Sequence, residues 1–311
     1  MATVWVLGGG LIGAGWAAAF GLAGHAVQVI DPDMAAAQAR LDEVWARATA
    51  AMGDKGAALP RVTVAPQGPA PALVQECLPE RLALKRAALT EILPLLDPQT
   101  LIASSSSGLS PEDLQQGLEG AERLFIAHPC NPPWLMPVVE LSGGAATAPE
   151  VLTRARAFYE GLGKRVLTLA RPMPGHLVNR LQAALWREAV HLVREGVASL
   201  ADVEDAVTLG LAPRWCLMGP SAVFHVSGGP RGFEGFFDAL GPEFERWWDT
   251  LGAPRFDAET RAALVQGMAE ADPRSVAEIG AARDRRLPQV LTFLEELART
   301  DGSKGGRQDE V

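Results

Sequence analysis

Four residues near the N-terminus have the types and spacing to hold a dinucleotide. Gly8, Gly10 and Gly13 fit G-x-G-x-x-G within the run GGGLIG, and Asp31 follows Gly8 by 23 residues. In such a turn the first glycine permits a tight bend and the second lets the backbone approach a pyrophosphate. The third lets a helix pack closely on a strand. The N–H groups of the turn and helix start, through Leu11 and Ile12, then face the phosphates. A carboxylate at Asp31 accepts hydrogen bonds from both ribose hydroxyls and repels a 2′-phosphate. That chemistry selects NAD over NADP.

These residues need a strand, a turn and a helix to position them. TVWVL predicts a short strand, GGGLIG the turn and AGWAAAFGLAG a helix; HAVQVIDPD supplies a second strand that ends on Asp31. A glycine-rich buried βαβ unit with a chance aspartate is the alternative reading of the same residues. The run from Val4 to Gly24 carries no charge, yet it suits neither export nor a membrane. No Lys or Arg precedes it, as a secretory signal needs. Seven of its 21 residues are glycine, and it runs straight into a polar turn.

Composition narrows the class further. The chain has 311 residues, enough for two domains, and 48% are hydrophobic and 21% charged, as in an ordinary globular protein. A net charge of −9 argues against nucleic acid or an anionic membrane as partner, since both need a positive field. Cys77, Cys130 and Cys216 are odd in number and far apart, without metal-ligand spacing. A reducing, cytoplasmic setting is therefore expected, with no metal.

Further along, a helix is expected from Ala35 to Met52, then two short strands, RVTVA and ALVQE, flanking PQGPAP with no room for a helix between them. A helix over 79–96 leads to the strand TLIA and the serine run SSSSGLSPED, where Ser110 and Pro111 have the types of an N-cap and first helical residue. LFIAH, MPVVELS and KRVLTLA read as strands. Between the last two, a helix is expected to open on a Thr147–Glu150 capping box and close at Gly163. Strands alternating with helices imply a mostly parallel sheet. Past RPMPG the strands vanish, and Val178, Leu181, Leu185, Leu192 and Val197 recur at helical spacing. The expected fold is an α/β Rossmann-type dinucleotide-binding domain (1–171) followed by an all-α domain (172–311), with a polar, frayed tail DGSKGGRQDEV.

Three segments in order behind the fingerprint, ASSSSGLS, HPCNPPWLMPVVEL and PGHLVNRLQAALWREAVHLVREGVAS, resemble the 3-hydroxyacyl-CoA dehydrogenase family over most of the chain. The resemblance is closest to the branch of L-gulonate 3-dehydrogenases (lambda-crystallin) and L-carnitine dehydrogenases, which shares a histidine at the position of His225. It implies that His128 takes the substrate hydroxyl proton while hydride leaves the same carbon for nicotinamide. Glu140, twelve residues on, is implied to pair with that histidine, and Ser107 and Asn179 to hydrogen-bond the reacting oxygen. The chemistry is consistent: an imidazole titrates near neutrality, and a carboxylate partner fixes its tautomer and stabilises the imidazolium. Taken singly, His128 also reads as a structural histidine, Glu140 as an edge carboxylate, Asn179 as a solvated helix residue and the serines as a flexible turn.

The same resemblance implies cofactor contacts from Glu76, from Arg81 (often a lysine in the family) and from Asn131; Glu76 and Arg81 read equally well as surface charges. Cys130, beside the site, reads as a packing residue, since hydride transfer needs no nucleophile. The chain also departs from the family. The acyl-CoA enzymes carry a long helical hairpin after the second strand, whereas here Asp31 to Glu76 spans only 45 residues, with just Lys55 and Arg61 as basic groups between Arg47 and Arg81. His176 stands where the family usually has phenylalanine, three residues before Asn179. It reads either as a polar substrate contact from the same helix face or as a local packing change. Arg214, expected in a loop, reads either as a fork for the substrate carboxylate or as a structural ion pair.

The expected activity is NAD-dependent oxidation of the 3-hydroxyl of a small L-3-hydroxy acid (gulonate-, 3-hydroxybutyrate- or carnitine-like). The alternatives are a short-chain L-3-hydroxyacyl-CoA dehydrogenase and a non-catalytic, crystallin-like NAD-binding protein. The family also implies a homodimer through the helical domain.

Overall fold

The computed structural model describes residues 1–54 and 56–300; Lys55 and the polar tail from Asp301 lie outside them. The chain forms two compact units, Met1–Arg180 and Leu181 onward.

The first unit is built on an eight-stranded sheet. In chain order its elements are β1 (Thr3–Leu7), α1 (Leu11–Leu22), β2 (Ala26–Ile30), α2 (Met34–Met52), β3 (Arg61–Thr63), β4 (Leu73–Glu76), α3 (Leu82–Ile92), β5 (Leu101–Ser104), α4 (Pro111–Gln115), β6 (Leu124–Pro129), β7 (Val138–Gly143), α5 (Pro149–Glu160) and β8 (Arg165–Thr168). The strand order is β3-β2-β1-β4-β5-β6-β7-β8. Every pairing is parallel except β6 with β7. The order reverses between β1 and β4, and ligands of such sheets bind beyond the carboxyl ends of the strands at that point. The crossover from β3 to β4 contains no helix, in keeping with PQGPAP.

Both sheet faces are covered, which is why β4 and β5 are buried at every position. On one face Trp5, Val74, Ile102 and Leu124 pack with Leu89 of α3 and Leu114 of α4. Elsewhere in the core Trp16 of α1 stacks on Phe20 at 5.1 Å and meets Tyr159 of α5 at 5.5 Å. Burying an aromatic residue such as Phe20 contributes roughly 1.5–3 kcal/mol. The uncharged run at the N-terminus is thus β1, the glycine turn and a buried helix.

Helix starts follow local chemistry. Ser110 caps α4 through a capping box with Asp113, and Pro111 is its first residue. The capping box expected at Thr147 is not formed: Ala148 is the N-cap of α5, and the helix ends at Glu160. The Thr147 oxygen instead accepts the Gly144 N–H and the Gln115 side-chain amide, each at 2.8 Å, while its hydroxyl donates to the Leu124 carbonyl at 2.7 Å, so no lone pair is left for the helix N–H groups. Gly163, at φ +77°, belongs to the turn that follows.

Helix α6 (Val178–Arg194) starts at the end of the first unit. The second unit continues with α7 (Leu200–Asp205), a π-helical turn (Ala206–Leu211), α8 (Ala212–Leu217), α9 (Pro220–Ser227), α10 (Phe233–Thr250), α11 (Ala258–Ala271) and α12 (Val276–Thr300). Phe224, Phe236 and Phe244 form an aromatic cluster there. His225 accepts the Phe233 N–H at 3.2 Å. Many large apolar side chains of this unit remain exposed, Trp247, Trp248, Phe237 and Phe293 among them. Among the described residues no helix is long and apolar enough to cross a membrane.

Candidate active site

The glycine turn has the shape its sequence requires. Gly8 sits at φ +94°, a left-handed conformation that side chains disfavour. A Cβ on Gly13 would lie 1.9 Å from the Gly8 carbonyl oxygen, so only glycine lets α1 approach this closely. A Cβ on Gly10 meets no atom within 4 Å, which leaves the backbone there open to a ligand. Leu11, the first residue of α1, is exposed, and Ile12 follows it half-buried. Asp31 follows β2 directly. Its Oδ2 accepts the Gly9 N–H at 2.7 Å and its Oδ1 the Asp33 N–H at 2.9 Å. Open backbone at Gly10, a helix start and an anchored carboxylate together fit the phosphates and ribose of NAD.

A second cluster lies at the carboxyl ends of β5 and β6. His128 is the fifth residue of β6, and its antiparallel register partner on β7 is Glu140. The twelve-residue spacing is the length of that hairpin: two paired residues point to the same face across the turn. Glu140 Oε2 lies 2.9 Å from His128 Nδ1, and Glu140 Oε1 accepts the N–H groups of Leu177 (2.7 Å) and Val178 (3.0 Å). A carboxylate only accepts, so Nδ1 carries the proton and Nε2 presents its lone pair. Ser107 Oγ lies 3.0 Å from that Nε2, and Asn179 Nδ2 lies 3.3 Å from it.

Glu140 is fully buried, which alone would raise its pKa. The hydrogen bonds from His128 and from the Val178 and Leu177 N–H groups outweigh burial and hold the carboxyl below the usual range. Burial raises the Cys130 thiol, in keeping with a packing role rather than a nucleophile. Lys164, depressed to about 8 by burial, donates to the Pro133 (2.6 Å) and Met136 (2.7 Å) carbonyls and so pins the turn that follows Cys130. That turn packs on α1, because a Cβ on Gly15 would lie 2.6 Å from Pro133. Asn131, which precedes it, is exposed.

Several expectations need correction. Glu76 is not a surface charge. It is fully buried at the end of β4, with both oxygens on Lys85 Nζ (2.8 and 3.0 Å), the Leu78 N–H on Oε1 and the Ser104 hydroxyl on Oε2. Arg81 is the exposed N-cap residue of α3. Glu80 and Lys85, which escape the sequence reading, repeat the five-residue spacing of Glu76 and Arg81 four positions later and join Glu76 in one charge cluster, with Lys85 Nζ 2.8 Å from Glu76 and 3.4 Å from Glu80.

His176 is not on a helix face with Asn179. It precedes α6, at φ +51°, and is only 3% exposed. Its Nε2 meets the Ser106 carbonyl at 2.9 Å, its ring lies 4.7 Å from that of His128, and its Nδ1 is buried without a partner among the described residues. These surroundings favour the packing reading. Arg214 lies in helix α8 rather than a loop, exposed, with Nη2 donating to the Gly210 carbonyl at 3.3 Å one turn back. It belongs to the second unit, and no carboxylate pairs with it among the ion pairs of the described residues.

Comparison with known proteins agrees with this architecture. Residues 3–171 match the 3-hydroxyacyl-CoA dehydrogenase NAD binding domain, and residues 175–264 match the C-terminal domain of the same family. An L-carnitine dehydrogenase of Streptomyces coelicolor is 40% identical over 306 residues, covering 96% of each chain. One from Oceanobacillus iheyensis is 36% identical over 304 residues, 95% of this chain and 99% of its own. In fold, the chain is similar to 5-formyl-3-hydroxy-2-methylpyridine 4-carboxylic acid 5-dehydrogenase, described as an NAD+ dependent dismutase. That match has a TM-score of 0.76 and 24% identity, over 94% of this chain and 98% of that one. Similarity also extends to 3-hydroxybutyryl-CoA dehydrogenase from Escherichia coli, with a TM-score of 0.59 and 27% identity over 77% and 52% of the two chains. Matched by both domain models in order, the chain belongs to the 3-hydroxyacyl-CoA dehydrogenase family, a family of oxidoreductases.

Proposed function

We propose that the protein oxidises the 3-hydroxyl of a small, free L-3-hydroxy acid with NAD. One observation carries this reading: Ser107 and Asn179 converge on the Nε2 lone pair of a histidine whose Nδ1–H is held by a buried carboxylate. NAD, when bound, supplies the hydride acceptor. His128 Nε2 accepts the hydroxyl proton as the carbinol carbon becomes a carbonyl. Glu140 offsets the positive charge that then develops on the ring. A hydroxyl that reaches Nε2 also meets Ser107 Oγ and Asn179 Nδ2, whose neutral donors support charge on the oxygen without competing for its proton.

A small acid is favoured over a CoA thioester because, among the described residues, α2 is the only helix between β2 and β4. The relatives' names make a carnitine-like acid the first candidate. Arg214 remains a candidate for the acid group, and Gly8, Gly10, Leu11, Ile12, Gly13, Asp31, Arg81 and Asn131 remain the candidate cofactor residues. We also propose a homodimer through the helical unit, whose exposed Trp247, Trp248, Phe237 and Phe293 suit an apolar interface. Three free thiols suit a reducing, cytoplasmic compartment.

NADH formation measured against L-carnitine, L-3-hydroxybutyrate, L-gulonate and acyl-CoA esters of 3-hydroxy acids tests the substrate class. Turnover of a free acid at a kcat/KM at least about tenfold above any CoA ester is expected, about 1.4 kcal/mol in the barrier. A preference for the esters would overturn the free-acid reading. Absence of turnover on every substrate would favour the non-catalytic one.

A further inference from the structure

One short stretch, residues 175–179, touches every other member of the His128 cluster. The Gly175 N–H donates to the Ser107 carbonyl at 2.8 Å, and His176 Nε2 lies 2.9 Å from the Ser106 carbonyl. Leu177 and Val178 give their N–H groups to Glu140 Oε1, and Asn179 Nδ2 reaches His128 Nε2. Gly175 (φ +77°) and His176 (φ +51°) are both left-handed, and the chain turns there from the serine turn toward Glu140. Side chains disfavour that region, so the contacts around His176 must hold it there. The N–H groups of the serine turn go elsewhere, those of Ser107, Gly108 and Leu109 to Glu80 Oε1. Its carbonyls at Ser106 and Ser107 are fastened by residues 175–176.

A carbonyl only accepts, so His176 Nε2 carries the proton and Nδ1 the lone pair. Nδ1 is buried without a partner among the described residues, so a proton added there would find no acceptor. Burial lowers the pKa of this ring; the Ser106 carbonyl, Glu140 and Glu80 oppose the shift, and the nearby His128 adds to it. His176 is therefore a neutral donor beside the ring that takes up charge, with the two rings 4.7 Å apart and tilted by 35°. The position where the family usually carries phenylalanine thus holds a hydrogen-bond donor in this chain. A phenyl ring would fill similar space and give the Ser106 carbonyl nothing.

We propose that His176 is a positioning residue for the reaction: its Nε2–H holds the Ser106 carbonyl and thereby keeps the Ser107 hydroxyl at His128 Nε2. Buried as it is, His176 acts through the turn and not on the substrate. The inference rests on the reading of Ser107 and His128 given above. Contact with the substrate and simple space-filling are the competing roles, and the three differ in what they predict.

Three substitutions separate them. His176→Phe keeps the bulk without the donor, and His176→Asn suits a left-handed backbone but is too short to reach Ser106. His176→Gln keeps an amide N–H at about the reach of Nε2. Each is made in the wild-type and Ser107→Ala backgrounds and compared for kcat, for KM of the best hydroxy acid, and for NAD affinity by quenching of tryptophan fluorescence. Loss of the donor is expected to lower kcat about tenfold, since misplaced reacting groups lose rate steeply, with KM and NAD affinity unchanged. His176→Gln is expected to recover kcat to within about threefold of wild type. With Ser107→Ala already present, losing the donor is expected to cost less than about twofold more, because residues acting through one another are not additive. A raised KM with intact kcat would make His176 a substrate contact, and an unchanged kcat in His176→Phe would make it a space-filler; either overturns the inference alone. So does a loss that persists in the Ser107→Ala background or is equal in the Gln and Phe variants. A Ser107→Ala variant with wild-type kcat would overturn the site reading and the inference together. Should His176→Phe not melt cooperatively, His176→Asn decides by the same criteria.

Discussion

At the scale of single residues, the site turns on which nitrogen of His128 carries a proton. Glu140 decides this by accepting from Nδ1 while its other oxygen accepts the Leu177 and Val178 N–H groups. Glu140→Gln keeps an oxygen for those N–H groups but can turn an amide donor toward Nδ1. The ring would then carry its proton on Nε2, where the lone pair is needed. A kcat loss of about 10²–10⁴ is expected, by analogy with the effect of a wrong tautomer in a serine protease triad. The folded Glu140 carboxyl titrates below its unfolded counterpart. Its ionised form therefore contributes stability that is fully present above the usual carboxylate range and is lost as pH falls through the depressed value. Urea midpoints at several pH values should show wild type and Glu140→Gln separated at neutral pH and converging in acid. A constant separation would contradict the linkage.

Much of this was legible in the sequence. Glu140 and His128 stand twelve apart because a short hairpin joins them, and a family motif preserves such a spacing. Glu76 and Arg81 misled because a charge pair looks alike in any register. Only burial reveals that Glu76 faces inward and pairs with Lys85 rather than Arg81.

At the scale of elements, parallel strands bring chemically distinct turns to one edge of the sheet. The glycine turn follows β1, Glu76 ends β4, the serine turn follows β5 and His128 lies near the end of β6. The buried Glu76–Lys85 pair ties β4, β5 and α3 together there. Glu76→Gln would leave the Lys85 charge with only the more distant Glu80 as partner, and breaking a buried pair typically costs about 3–5 kcal/mol. Chemical denaturation should show a loss of at least about 2 kcal/mol, at the low end because Glu80 stays close. A change within about 0.5 kcal/mol would contradict the importance of the pair. Strands and helices of this unit were readable from alternation and glycine punctuation. The start of α5 was not, because the Thr147 oxygen is occupied by the Gln115 amide, distant in sequence, and by the Gly144 N–H. His176 escaped for a similar reason: its left-handed backbone ends the helix pattern before it begins.

At the scale of the whole molecule, the two units have different surfaces. The first closes its core between sheet and helices. The second leaves Trp248 64% exposed and Phe293 56% exposed, with other large apolar side chains. Sedimentation velocity at micromolar concentration should give a dimer, and Trp248→Glu with Phe293→Glu should weaken it about tenfold or more. A monomer of the unaltered chain would contradict the proposed interface. That face was not legible residue by residue, because the same helical periodicity describes a core face and a subunit contact.

The most direct test of the central claim is His128→Ala, assayed by NADH formation with the best hydroxy acid of the panel and by NAD binding through quenching of tryptophan fluorescence. Loss of a general base predicts a kcat at least about a hundredfold lower, with NAD affinity preserved because the dinucleotide is held at the glycine turn and Asp31. A variant that keeps more than about a tenth of the wild-type rate would contradict the assignment of His128 as the base.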